Sequence, residues 1–332
     1  MDLIEQFGRL SPSTREGKFL AAPIEGFLSH RIAKDHHGNP FLLVASVDDG
    51  ATAQPLPVRF EHLRVTYDAL CAITRLDGSE EEAVFAVVGC VGGDQVLNEY
   101  FLRTIGSLLP ALGTMPSRGQ LIQSIDRVLE LFSLLTRPQQ GSVQGLWAEL
   151  FLIQGGTDPR GLMRAWHEEQ TEMFDFGTPS QRLEVKSSSG RLRSHLFRLE
   201  QLQAPPGASL VVVSMFVERS AGGPSVAEFV DSIRVRMANE HELVEKLDRL
   251  VALTLGDNWR EATSQRFDAD VALESLRFYP PESVPAVNAN VAPAVSEIHF
   301  RSDLSGVAPI RRSDLVAKGG LFAAAWPKAR RG

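Results

Sequence analysis

Residues 174–186 read Phe-Asp-Phe-Gly-Thr-Pro-Ser-Gln-Arg-Leu-Glu-Val-Lys, and this stretch constrains the fold more than any other part of the chain. The turn residues Gly177, Thr178, Pro179 and Ser180 separate two runs of strand character, which predicts two strands joined by a tight turn. Asp175 falls at the end of the first strand, and Glu184-Val185-Lys186 lies within the second. Side chains alternate across a strand, so Glu184 and Lys186 share one face while Leu183 and Val185 share the other. Two carboxylates and an ammonium on one sheet face can hold a divalent metal and orient a water beside a phosphate. The plainer reading is a surface hairpin with an alternating ion pair, a common feature of antiparallel sheets.

The flanking sequence weighs against the plainer reading. Between Pro138 and Thr157 the only charged side chain is Glu149. Ser142 supplies helix-start chemistry and Gly155-Gly156 a stop, so a helix is expected over 142–154. Val143, Leu146, Trp147, Leu150 and Phe151 form one apolar face, and Leu152 and Ile153 make the helix apolar nearly all round, hence buried. A carboxylate on a buried helix is costly unless a cation or metal accompanies it. Lys186 is the partner this reasoning offers to Glu149.

Further along, Ser194 to Leu202 reads as a helix that ends before Pro205-Pro206-Gly207. Ser209 to Val217 is a mostly apolar run, the pattern of a strand buried on both faces. With a strand placed near Trp166 to Gln170, the order from Ser142 to Val217 is helix, strand, strand, strand, helix, strand.

That order, with Gly-Leu-Trp-Ala-Glu-Leu (145–150), Phe-Asp-Phe (174–176), Leu-Glu-Val-Lys (183–186) and His-Leu-Phe-Arg-Leu-Glu-Gln-Leu (195–202), resembles the PD-(D/E)XK nuclease superfamily. Within it, the chain is similar to a bacterial family often encoded beside restriction and phage-defence genes. The usual Pro-Asp is Phe-Asp here. The resemblance implies a mixed α/β, restriction-endonuclease-like core and a metal-dependent endonuclease acting on phosphodiester bonds, chiefly in DNA, with RNA left open. It makes Asp175 and Glu184 metal ligands, Lys186 the catalytic lysine, Glu149 the acid of the leading helix, and Gln201 the glutamine of the helix after the lysine strand. On this reading Mg²⁺ is the cofactor, with Mn²⁺ as a substitute. The Val185 carbonyl completes the ligand set, and Arg191, Arg193 and His195 contact phosphates. Defence-system proteins and a second copy of the chain are the implied partners. A different class of function stays open, a catalytically silent subunit that keeps the nuclease fold to bind nucleic acid or assemble a multi-protein complex.

Charge and composition set the outer bounds. The 332 residues carry a net charge of −7, which argues against nucleic acid as a partner. The charge is uneven, however: between Ser180 and Glu200 the cations Arg182, Lys186, Arg191, Arg193 and Arg198 face only Glu184 and Glu200. A basic strip beside an acidic cluster suits a phosphate backbone drawn toward bound metal. No run has membrane-spanning character and the start of the chain lacks a signal-peptide pattern, so a cytoplasmic protein is expected. Cys71 and Cys90 sit in apolar runs and read as reduced core residues.

Three regions are expected: a β-rich module over 1–110, the nuclease-like core with its leading helices over 111–220, and an α+β extension over 221–332. Strands are predicted over 41–47, 58–66, 69–75 and 83–91, and helices over 94–109 and 117–137. Asp35-His36-His37-Gly38 reads as a polar turn. In the extension, helices over 225–238 and 240–255 precede strands over 271–279 and 295–301, with Asn239 and Glu242 as a capping box for the second helix.

Overall fold

A computed structural model describes residues 3–47, 55–169, 172–287 and 297–328. The chain forms two compact units, Met1–Thr136 and Arg137–Gly332.

In the first unit, α1 (Leu3–Gly8) precedes six strands: β1 (Phe19–Ile24), β2 (Phe27–Lys34), β3 (Pro40–Val44), β4 (Val58–Phe60), β5 (Leu63–Thr74) and β6 (Glu80–Cys90). Their order is β1-β2-β3-β6-β5-β4, and a short parallel pairing of Phe19 and Leu20 with Ile73 and Thr74 closes β1 onto β5. That pairing covers one end of the β1 edge. Alternate residues of β5 point inward, and Phe41, Leu43, Cys71, Ile73, Phe85 and Val87 meet in one cluster. Gly89 lies opposite Phe41 because a Cβ there would collide with the Phe41 ring. Gly78, at φ +83°, makes the β5–β6 turn, a conformation that favours glycine. Two helices follow, α2 (Gln95–Leu112), capped by the Asp94 side chain, and α3 (Arg118–Leu134), started by a Ser117–Gln120 capping box.

Both cysteines are buried free thiols, and burial pushes Cys71 up to about 11. Asp35 forms a polar turn by accepting hydrogen bonds from the His37 and Asn39 backbone N–H groups. The acidic run Glu80–Glu82 belongs to β6 rather than to the turn, and Lys18 and Arg75 pair with Glu80 and Glu81.

The second unit opens with α4 (Val143–Gly155) and α5 (Pro159–Ala165). Trp147 on α4 is fully buried; its ring stacks on Phe151 and meets Phe229 and Phe267 at centroid distances of 5.2 and 5.4 Å. Its Nε1–H donates to the Pro224 carbonyl at 2.9 Å, so this buried indole is satisfied. Next come β7 (Phe176–Gly177), β8 (Gln181–Ser188), β9 (Ser194–Arg198) and β10 (Ser209–Phe216). Helices α6 (Val226–Arg236), α7 (His241–Leu255), α8 (Trp259–Ser264) and α9 (Ala269–Ser275) lead to β11 (Arg277–Tyr279) and β12 (His299–Asp303). Helices α10 (Arg312–Ala317) and α11 (Gly320–Ala324) end the described chain.

The central sheet has the order β11-β10-β8-β7. β8 runs parallel to β10, with Glu184 beside Val212 and Lys186 beside Ser214, while β7 and β11 are antiparallel edges. β10 is buried along nearly its whole length, as its mostly apolar sequence requires.

Several sequence expectations are corrected. Ser194–Arg198 is a strand paired with β12 in a separate two-stranded ribbon, and only a 3-10 turn at Leu199–Leu202 follows it, so no α-helix stands between β8 and β10. His195 and Phe197 are buried while Leu196 and Arg198 are exposed; a period of two governs this segment. Among the described residues of the region 166–170, only Trp166 pairs, through one bridge to Phe176, and Gln170 lies outside them. Residues 269–275 are helical, leaving a strand of 277–279. β12 begins at His299, and Val295 lies outside the described residues. The residue that caps α7 is Glu240, without a side-chain cap bond, in place of the expected box on Asn239.

Candidate active site

The hairpin forms where the sequence puts it. Thr178 N–H donates to the Gln181 carbonyl at 2.8 Å, and Phe176 and Gly177 pair with Leu183 and Arg182. Asp175 immediately precedes β7 and turns its carboxylate onto β8, where Oδ2 accepts the Val185 N–H at 2.6 Å. Glu184 is 2% exposed and its Oε1 lies 2.7 Å from Lys186 Nζ, as alternation on one strand face demands. Lys186 Nζ also donates to Gln201 Oε1 at 3.0 Å and sits 5.2 Å from the centre of the Phe197 ring. Gln201 Oε1 accepts the Arg198 N–H at 3.0 Å as well, so the 3-10 turn fixes the amide that steadies the lysine.

Glu149 reaches the same place from α4, and its charge is felt at both Asp175 and Glu184. The hydrogen-bonding partners it holds differ from the one expected. Its Oε2 accepts the Trp166 Nε1–H at 2.6 Å and stands 3.4 Å from His167 Nε2. His167 also donates its backbone N–H to the Asp175 carbonyl at 2.9 Å, and its Nδ1 lies 3.0 Å from the Glu169 carbonyl. Burial alone lowers the His167 pKa, but the hydrogen bond and charge of Glu149 outweigh it and leave a net rise. Trp166 and His167 escape a sequence reading because neither matches a metal or nuclease motif. The available signal was a buried helical carboxylate followed, just past the next helix, by two side chains with N–H donors.

The electrostatics are those of crowded acids. Burial, then the Glu184 and Glu149 charges, push Asp175 well above the ordinary carboxylate range, against the opposing Val185 N–H and Lys186. Burial likewise raises Glu184 to about 7, although Lys186 and Arg198 pull it down. Glu184 Oε2 is buried without a hydrogen-bond partner. A buried carboxylate oxygen without a partner, in the field of further carboxylates, calls for a cation beyond the single lysine. Among the described residues no group of three or more His, Cys, Asp or Glu side chains is arranged to hold a metal ion. Mg²⁺ does not need such a group, since it keeps several waters and takes one or two carboxylates. The side chains present therefore fit such an ion.

The three residues expected to meet phosphates are placed differently from one another. Arg191 is exposed and pairs with Glu218 at 3.1 Å. Arg193 is an interior residue: its guanidinium donates to Ser214 Oγ at 2.9 Å and to the Ser275 carbonyl, and lies over the Phe216 ring. His195 is 3% exposed, with Nε2 2.8 Å from Ser214 Oγ. Burial, aided by the Lys186 and Arg193 charges, lowers its pKa to about 4, so the ring is neutral at pH 7. Arg193 thus ties β10 to α9, and His195 lies between β10 and the Ser187 backbone of β8.

The chain belongs to the DUF4420 family, described as "Putative PD-(D/E)XK family member", whose family model matches residues 3–305. No curated protein and no solved structure matches the chain. Among the described residues no helix is long and apolar enough to cross a membrane.

Proposed function

We propose that this protein is a metal-dependent endonuclease that hydrolyses phosphodiester bonds in DNA as part of a bacterial restriction or phage-defence system. The observation that carries the reading is the placement of Lys186 Nζ between Glu184 Oε1 and Gln201 Oε1, at 2.7 and 3.0 Å, beside the partly buried Asp175 carboxylate. Family membership supports it, and nucleases of that superfamily typically use divalent metals.

Asp175, Glu184 and the Val185 carbonyl would hold Mg²⁺. When bound, the ion supplies a Lewis acid for a phosphoryl oxygen and lowers the pKa of a coordinated water. Lys186 holds and orients the attacking water. Gln201 and Glu184 restrict its ammonium to the face of β8 on which the carboxylates open, so little reorganisation is needed at the moment of reaction. Glu149, tied to Trp166 and His167, adds negative charge without taking up Lys186. Phe197 beneath the ammonium limits water on that side and strengthens the local electrostatics.

The test is incubation of the full chain with supercoiled plasmid and Mg²⁺ or Mn²⁺. Nicked or linear product that disappears in Lys186→Ala supports the reading; no product under either metal favours the silent-subunit alternative.

A further inference from the structure

The interior placement of Arg193 and His195 leaves open where the phosphates of a substrate would be held. β9 and β12 form a ribbon with Arg198 opposite His299, Leu196 opposite Arg301 and Ser194 opposite Asp303. Alternation sends His195 and Phe197 inward, which turns Arg198, His299 and Arg301 to the exposed face. Arg198 and Arg301 are diagonal neighbours across the ribbon, with about 7–8 Å between their positions by ordinary sheet geometry.

Three observations tie this face to the site. Phe197, the inward neighbour of Arg198, packs under Lys186. The Arg198 backbone N–H donates to the same Gln201 oxygen that holds Lys186. The Arg198 charge is felt at Glu184. The two arginines are also uncommitted: among the described residues neither forms an ion pair, and Arg301 makes only a long hydrogen bond of 3.5 Å to the Ser194 carbonyl. The carboxylate at the far end of the face, Asp303, is engaged by the Ser305 N–H and hydroxyl. In a chain of net charge −7, two unpaired guanidiniums beside an acidic site stand out.

We propose that the exposed face of the β9–β12 ribbon is the phosphate-holding surface of this protein, with Arg198 and Arg301 gripping the sugar–phosphate backbone of a DNA strand that enters the site. This rests on the nuclease reading for the identity of the ligand. Guanidiniums bind phosphate oxygens in a forked geometry without reading sequence, so the surface positions a strand rather than selecting one. Leu196, 53% exposed between them, is free to meet a sugar or base.

The experiment measures binding of the full chain to a fluorescein-labelled DNA duplex by anisotropy, in EDTA, across a salt series, beside plasmid cleavage with Mg²⁺. Each phosphate contact contributes roughly one to the slope of log affinity against log salt. Arg198→Ala/Arg301→Ala should weaken binding about tenfold or more and flatten that slope by about two. Arg198→Lys/Arg301→Lys should recover most of both, which a merely structural role for the arginines would not predict. The charge-matched control Arg59→Ala/Arg219→Ala should change neither. A wild-type chain that binds through the ribbon and cuts nothing sinks the nuclease reading and leaves this proposal standing. Cleavage by wild type with an unaltered slope in the alanine pair does the reverse, and absence of any DNA binding by wild type overturns the proposal.

Discussion

Replacing Glu184 with glutamine removes a charge that the fold resists. A glutamate pKa moved from 4.5 to about 7 means that the folded state binds the proton more tightly than the unfolded chain does. Stability is then lost as pH rises from about 4.5 to about 7 and stays low above that. The cost of the ionised form is roughly 3 kcal/mol at pH 8. The attraction to Lys186 is already contained in it. Glu184→Gln avoids this cost and keeps an oxygen for Lys186 Nζ. In EDTA at pH 8 the variant should therefore be more stable than wild type by about 2–3 kcal/mol, or about 4–12 °C in Tm for a unit of this size. At pH 4.5 the difference should vanish. His195 contributes an opposite slope, because its lowered pKa makes stability fall as pH drops from 6.5 to about 4, but this cancels between variant and wild type. Urea or thermal unfolding at the two pH values decides the matter. A variant that is less stable than wild type at pH 8, by the same amount as at pH 4.5, would refute the electrostatic account of the site.

Other expectations follow from the same geometry. Mg²⁺ at a hundred times its Kd should raise wild-type stability by about 2.7 kcal/mol and leave Asp175→Ala unmoved, read by thermal shift against metal concentration. Lys186→Ala should retain the metal-dependent shift while losing cleavage, whereas Asp175→Ala loses both together. Trp166→Phe removes a 2.6 Å donor to the Glu149 carboxylate and should cost about 1.5–3 kcal/mol in unfolding experiments. In an NMR titration His195 should remain neutral down to about pH 5.

Much of the second unit was readable in the sequence because local rules and tertiary demands agree there. Ser142 and the glycines bound α4, an apolar run gives the buried β10, and a turn between alternating runs gives β7 and β8. Strand alternation fixes Glu184 beside Lys186, the buried apolar helix pointed to Glu149, and Gln201 was expected only from the family resemblance. The segment 194–202 misled because Leu196, Leu199 and Leu202 recur at a helical spacing. A distant strand, β12, supplies the backbone partners that make residues 194–198 extended instead. The roles of Arg193 and His195 were hidden behind that error, since a loop-and-helix reading puts both at the surface. Glu149's own partners could not be deduced from spacing, because Trp166 and His167 reach it only through the packing of α4, α5 and β7.

The central claim is that the Asp175–Glu184–Lys186 site cuts phosphodiester bonds when a divalent metal is present. Incubation of supercoiled plasmid with the full chain, in Mg²⁺, Mn²⁺ or EDTA, tests it most directly when run beside Lys186→Ala. The account predicts nicked and linear DNA with either metal, none in EDTA, and a rate lower by about two orders of magnitude or more in the variant, the scale of losing one positioned catalytic group. Intact plasmid with both metals, or cleavage that Lys186→Ala leaves unchanged, would contradict it.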